Sequence, residues 1–242
     1  MSTDDDNLIP PSIELAWGRR QRGTRGPKPG LTLDRIVAAG IKVAMTEGIG
    51  ALSMTRVAAQ LGVGTMSLYR YVTAKDELLT LMVDGALGAP PAAPPGEDWR
   101  AGLTRWAVGV RGTYQRHPWA LRVPISAPPL GPNNVAWLEN ALQALEATPL
   151  SEQEKLSTVL LLSGFVRNDV TLDLDLAAGA GGTDVMPTYA RMLAALIDGG
   201  DFPALAAAIA SGALSDEDDP DNEFEFGLAR ILDGVAALIA RG

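Results

Sequence analysis

The sequence predicts an all-α fold, with a small N-terminal three-helix domain followed by a larger helical domain. Three observations lead there. Apolar residues recur at i, i+3, i+4 and i+7 through 33–44, 78–86, 99–114 and 224–239, the spacing of one helix face. Glycine- and proline-rich breaks at 88–96 and 124–132 separate these runs, and proline at that density ends a helix. Val170, Leu172, Leu174 and Leu176 alternate with polar residues in a strand-like period, but nothing nearby offers a partner strand, so helix is expected there too.

Composition sets the outer limits. The chain has 242 residues and is 47% apolar, enough to build one large domain or two modest ones and too apolar for wholesale disorder. It has no cysteine and one histidine, His117, which removes disulfides, thiol catalysis and zinc sites built on Cys or several His. The start, MSTDDDN, lacks the apolar run of a signal peptide, and no apolar stretch approaches the ~20 residues that span a bilayer. A soluble cytoplasmic protein without membrane partners is the expectation. The net charge of −9 is unevenly spread: −4 over 1–18, +5 over 19–87 and −10 over 88–242. A basic segment on an acidic body directs one face toward a polyanion.

The elements follow in order. Residues 1–31 read as a flexible arm, acidic at Asp4, Asp5 and Asp6, then basic at Arg19, Arg20, Arg22, Arg25 and Lys28 among glycines and prolines. Such an arm can lie along phosphates or enter a minor groove. IELAW (13–17) is a small apolar run without an assigned role. A first helix spans about 33–46 with Thr32 as N-cap and Leu33, Ile36, Val37, Gly40, Ile41 and Ala44 on one face. Gly48 and Gly50 end it.

In residues 53–75, Ser53 can cap a helix whose Val57, Ala58 and Leu61 share a face. Gly62-Val63-Gly64 interrupts it, glycine tolerating the positive φ of a sharp turn. A second short helix runs from about Thr65 to Tyr71, with Leu68 and Val72 inward. Two helices and a tight apolar turn make a helix-turn-helix, whose second helix enters the major groove. Thr65, Met66, Ser67, Tyr69, Arg70 and Tyr71 are left for the outer side, where they can meet phosphates, thymine methyls or, for Arg70, a guanine edge. The alternative is an ordinary helical hairpin with a solvated polar face.

A fourth helix starts near 73–76, where Thr73 and Asp76 have capping-box spacing. Its stripe is Leu78, Leu79, Met82, Val83 and Ala86. Lys75 lies in its first turn, unfavourable for the helix dipole and suited to a phosphate. A boundary is expected at 88–96, dividing a DNA-binding domain (32–87) from a regulatory and dimerisation domain (97–242). Further helices are expected over 98–115, after Pro118, from Asn133 or Asn134 to about Ala147, and from a Ser151/Glu154 capping box through 170–178. GAGGT (179–183) ends the last of these. Helices near 186–198 and 203–211, an acidic loop, and a final helix over 224–239 complete the chain.

Residues 32–87 resemble the DNA-binding domain of the tetracycline-repressor (TetR) family. Ala58, Leu61, Gly62, Val63, Leu68, Tyr69, Tyr71, Lys75 and Leu78 match the family string. FEFGLARILDGVAALI (224–239) resembles the last helix of the tetracycline-repressor-like C-terminal domain. The resemblance implies a homodimeric, ligand-responsive repressor on palindromic double-stranded operator DNA, released by a small-molecule effector of unknown identity. It implies that Tyr69, Tyr71 and Lys75 meet phosphates and that Thr65, Met66, Ser67 and Arg70 face bases. Thr55 and Arg56, beginning the first helix of the pair, and Arg25 and Lys28 in the arm complete the expected DNA-facing set.

For the effector pocket the expected residues are Trp106, Val110, His117, Trp119, Trp137 and Phe165, on consecutive helices; ordinary core packing is the alternative for each. The dimer surface is expected on two helices, at Leu160 and Gly164 beside Ser163, and at Leu228, Ile231, Val235 and Leu238. No catalytic residues, metal ligands or cofactors are assigned. His117 could serve no Ser-His-Asp arrangement without a G-x-S-x-G elbow, no G-x-x-x-x-G-K-[ST] loop occurs, and GAGG (179–182) follows no strand. The rivals are a small-molecule-binding or enzymatic helical protein with a structural hairpin, which leaves the charge split unexplained, and a ligand-independent regulator or activator.

Overall fold

The computed structural model describes residues 9–19, 30–125, 128–179, 185–197, 201–214 and 220–241. Every regular element among them is helical. The chain divides into two compact units, Met1–Leu160 and Leu161–Gly242.

The first unit opens with an element that the flexible-arm expectation does not contain: α1, Pro11–Ala16. Pro11 suits the first position of a helix, and Ile13 is buried in the core beneath it. IELAW thus has a role in a docked helix that packs on the helices Leu33–Glu47 and Lys75–Leu87. Arg25 and Lys28 lie outside the described residues. Next, α2 (Leu33–Glu47) is capped by Thr32, whose Oγ1 accepts from the Arg35 N–H at 3.2 Å. Gly48, at φ 83°, ends it. The buried residues of α2 are those of the expected stripe with Ala39 and Val43 added, except that Ile41 is only half-buried.

Helix α3 (Met54–Leu61) packs on α2 and carries α4 (Thr65–Leu68), and α5 (Lys75–Leu87) also packs on α2. At the start of α5 the expected Thr73/Asp76 box is replaced. Glu77 reaches back to accept from the Thr73 N–H and, at 2.7 Å, from the Thr73 hydroxyl. Glu77 sits one residue further into the helix than Asp76 and has the extra methylene needed to return.

Residues 88–98 carry no helix, and the compact unit runs on through them into α6 (Trp99–Arg116), a 3-10 turn at Pro118–Arg122 and α7 (Pro132–Ala144). Asp98 caps α6, accepting from the Ala101 N–H at 2.8 Å. The expected asparagine cap of α7 is not found. Gly131 occupies the N-cap, Pro132 the first turn, and Asn133 and Asn134 follow as donors rather than acceptors. Helix α7 also ends at Ala144, short of the expected Ala147.

Helix α8 (Glu152–Gly179) starts at the expected capping box: Glu154 N–H donates to Ser151 Oγ at 3.3 Å and Ser151 N–H to Glu154 Oε2 at 2.8 Å. It stays helical through the alternating stretch at 170–176. In the second unit, α9 (Val185–Leu196) contacts α10 (Pro203–Ala210). The last helix, α11 (Pro220–Ile239), begins earlier than expected. There Phe165 stacks on Phe224 with centroids 5.6 Å apart, and Gly227 gives the Phe165 ring its place: a Cβ would lie 2.6 Å from that ring.

Candidate nucleic-acid interface

The candidate interface is built from α3, its turn and α4. Ser53 Oγ accepts from the Arg56 N–H at 3.1 Å and starts α3. Gly62, at φ 67°, ends it. Val63 N–H returns to the Ala58 carbonyl at 3.0 Å and Gly62 N–H to Ala59 at 3.2 Å, the paired closure of a helix that turns sharply away. Val63 then packs against the core. These bonds fix where α4 begins.

Helix α4 is one turn, shorter than the expected Thr65–Tyr71. Its last regular residue is Leu68, and 69–71 continue as a turn, with Val72 N–H bonding the Leu68 carbonyl at 3.0 Å. Leu68 and Val72 are fully buried in the core. Met66 is 77% exposed and Tyr69 43%; Arg70 and Lys75 are also exposed, and Thr65 and Ser67 are half-buried. An exposed face of this kind on a fixed one-turn helix is what a base-reading element requires.

Among the expected DNA-facing side chains, Tyr71 and Arg56 are held by partners within the protein. Tyr71 is half-buried and its hydroxyl donates to the Leu31 carbonyl at 2.6 Å. Its one donor therefore ties the chain entering α2 to the end of α4, rather than facing a phosphate, which only accepts. Arg56 forks onto Glu47 at 2.9–3.1 Å through Nε and reaches Gln60 at 3.2 Å. Glu47 is held below the usual carboxylate range by that hydrogen bond, and Arg56 is raised in turn. Thr55 is exposed beside it.

The residues expected to line an effector pocket fall into two groups. Trp106, Val110, Trp119 and Trp137 are buried in the first unit. Trp106 and Trp137 meet edge-on at 6.2 Å. Both indole N–H groups are engaged: Trp106 with the Trp137 carbonyl at 2.8 Å and Trp137 with the Gly88 carbonyl at 2.9 Å. His117 and Trp119 pack edge-on at 6.1 Å, and His117 Nδ1 and Trp119 Nε1 are buried with no hydrogen-bond partner among the described residues. Burial, then the nearby Arg116 charge, lowers the His117 pKa. Phe165 belongs to the second unit. A groove lined by Glu97, Trp99, Arg105, Asn140 and Ala144 contains none of the expected pocket residues. Its Arg105 is held by Glu97, the Pro91 carbonyl and Asn140.

Of the expected dimer residues, Leu228 and Val235 are already buried inside one chain, on the face of α11 that closes its own core. Ile231 and Leu238 are half-covered. Leu160 is 75% exposed, Gly164 is exposed, and Leu161 is 55% exposed. Sequence reasoning also passed over Ser12, Glu77 and Asp84. The signal was there: Glu77, Leu81, Asp84 and Gly88 fall at i, i+4, i+7 and i+11, a second stripe on α5.

A short helix held by one turn and one buried leucine, with its outer residues exposed on a basic segment, defines a helix-turn-helix regulator of transcription. The chain matches the family model described as "Bacterial regulatory proteins, tetR family" over residues 36–82 and that described as "Tetracyclin repressor-like, C-terminal domain" over residues 90–239. It is 38% identical to the HTH-type transcriptional repressor DrrR1 of Streptomyces coeruleorubidus, over 99% of this chain and 90% of that one. It is 31% identical to an HTH-type transcriptional repressor of Mycobacterium tuberculosis, over 94% and 87%. Among solved structures, the Streptomyces coelicolor TetR family protein ActR in complex with actinorhodin superposes with a TM-score of 0.73 at 30% identity, over 88% and 99%. The chain belongs to the TetR family of helix-turn-helix transcriptional repressors. Among the described residues no helix is long and apolar enough to cross a membrane.

Proposed function

We propose that the protein acts as a homodimer that occupies a palindromic operator and leaves it when a small molecule binds the C-terminal region. The observation that carries the DNA half is α4, fixed through Leu68 and presenting Met66, Tyr69 and Arg70 outward. Arg70 and the half-buried Thr65 and Ser67 read bases; Tyr69 and Lys75 fix register on phosphates. Two reading heads about 34–36 Å apart, or a multiple of that, meet successive major-groove faces.

Dimerisation is supported by Leu156, Leu160 and Leu161, exposed within two turns of α8, since an exposed apolar patch marks an interaction site. The effector half is supported by ActR, which binds actinorhodin, and by the buried, unpaired nitrogens of His117 and Trp119. A buried polar atom left unpaired costs about 1–3 kcal/mol, and a ligand with a suitably placed acceptor recovers it at Trp119. The ligand shifts the protein off DNA only by binding the released state more tightly.

The test is a gel-shift titration of the full chain on DNA from upstream of its own coding sequence, with and without actinorhodin and related aromatic compounds. A shift that survives excess unrelated DNA is expected, and at least one compound should reverse it. A shift abolished equally by any DNA would refute operator recognition.

A further inference from the structure

Helix α5 works on two faces. On one, Met82 and Gly85 meet α2 with no room to spare. A Cβ on Gly40 would lie 2.6 Å from the Met82 sulfur, and one on Gly85 would lie 2.8 Å from Val37. On the other stripe, Glu77 accepts from the Ser12 hydroxyl of α1, Leu81 is buried, and Asp84 is only 4% exposed.

Asp84 is buried against the first turn of α7. Its Oδ1 accepts from the Asn134 N–H at 2.8 Å and the Asn134 amide at 2.7 Å. Its Oδ2 accepts from the Asn133 N–H at 3.4 Å and the Asn133 amide at 3.1 Å. The first N–H groups of a helix lack partners within it and favour a negative charge. Most helices meet that need with their own N-cap side chain, whereas α7 has Gly131 there and no side-chain cap. A Cβ at Gly131 would fall on the Asp84 carboxylate, so the cap is supplied by another helix. Two further bonds flank it. Trp137 of α7 donates to the Gly88 carbonyl just after α5, and Trp17, just after α1, donates to the Leu130 carbonyl just before α7 at 2.8 Å.

We propose that Asp84 is the positioning residue that sets the reading head on the helical body. Within four residues α5 is clamped to α2 on one side and to the start of α7 on the other. Helix α2 braces α3, so the head cannot swing on α6 and α7 while Asp84 holds the α7 N-terminus. Freeing Asp84 leaves each head folded but loosely aimed, and lowers affinity where two heads must engage together. The inference rests on the two-headed reading proposed above.

The test uses the full chain and two DNA fragments: the footprinted operator, and the same fragment with one half-site scrambled. Asp84→Asn keeps the shape and removes the charge; Gly131→Ala pushes the carboxylate out and leaves Asp84 in place. Each is expected to weaken binding to the intact operator by roughly tenfold or more, since linked sites gain at least that from being held in register, and to leave binding to the scrambled fragment unchanged. Because both variants break one latch, the double variant should be no weaker than the weaker single. Unchanged binding to the intact operator, or an equal loss on both fragments, overturns the proposal. If the unmutated chain itself binds both fragments alike, the two-headed reading fails and the proposal falls with it. If Asp84→Asn fails to fold by circular dichroism, Gly131→Ala decides on the same two fragments.

Discussion

Leu68→Ala is the substitution whose effect the structure fixes best. Leu68 is fully buried and is the one buried side chain of α4. Truncation deletes three carbon groups worth about 0.8 kcal/mol each, and the cavity left behind raises the total to roughly 3–4 kcal/mol. A single turn has no helical stability of its own, so α4 stays in place through Leu68 and the turn at Gly62. Urea unfolding of the full chain should show the transition of the α2–α5 region lowered by roughly 1 M or more, at about 1–3 kcal/mol per molar urea. Specific operator binding should disappear at concentrations where the unmutated chain binds fully. An unchanged urea midpoint together with intact specific binding would refute the claim that Leu68 holds the reading helix.

Further outcomes are expected. Arg70→Ala should cost about 1–3 kcal/mol on the preferred operator and relax preference at one base pair, while Lys75→Ala weakens all sequences alike; anisotropy titrations on single-base operator variants separate the two. Leu160→Glu with Leu161→Glu should give monomers by light scattering if α8 forms the dimer surface. His117 has its pKa lowered from the usual 6.5 by burial and Arg116. The unfolded chain therefore takes up this proton first, so stability should fall as pH drops from about 7 through 6.5. His117→Asn should flatten that part of a melting-temperature profile.

What was legible in the sequence was legible for local reasons. Thr32, Ser53 and the Ser151/Glu154 pair act within one turn of themselves, and they cap helices where expected. The apolar stripes of α2 and α5 depend only on helical period. The misses depend on distant partners. Ile13 gives α1 a place only because α2 and α5 bury it. Tyr71 looks outward on a helical wheel, but α4 ends at Leu68 and the turn brings its hydroxyl to Leu31. Asp84 looks like a solvated acid until α7 arrives with its unpaired N–H groups. Leu228 and Val235 belong to a wide stripe, and periodicity cannot say which part of it the chain's own core covers.

The central claim is that this chain reads a specific DNA sequence through α4 as a two-fold pair. Footprinting on its own upstream DNA, with the complex sized in parallel by light scattering, tests it most directly. The expected result is a palindromic protected site whose half-site centres lie one helical turn or a multiple apart. That site should be occupied by an even number of chains, and Arg70→Ala should weaken its protection by about 1–3 kcal/mol and relax it at one base pair of each half-site. A non-repeating protected site occupied by a single chain, or protection that Arg70→Ala leaves intact at every base, would contradict it.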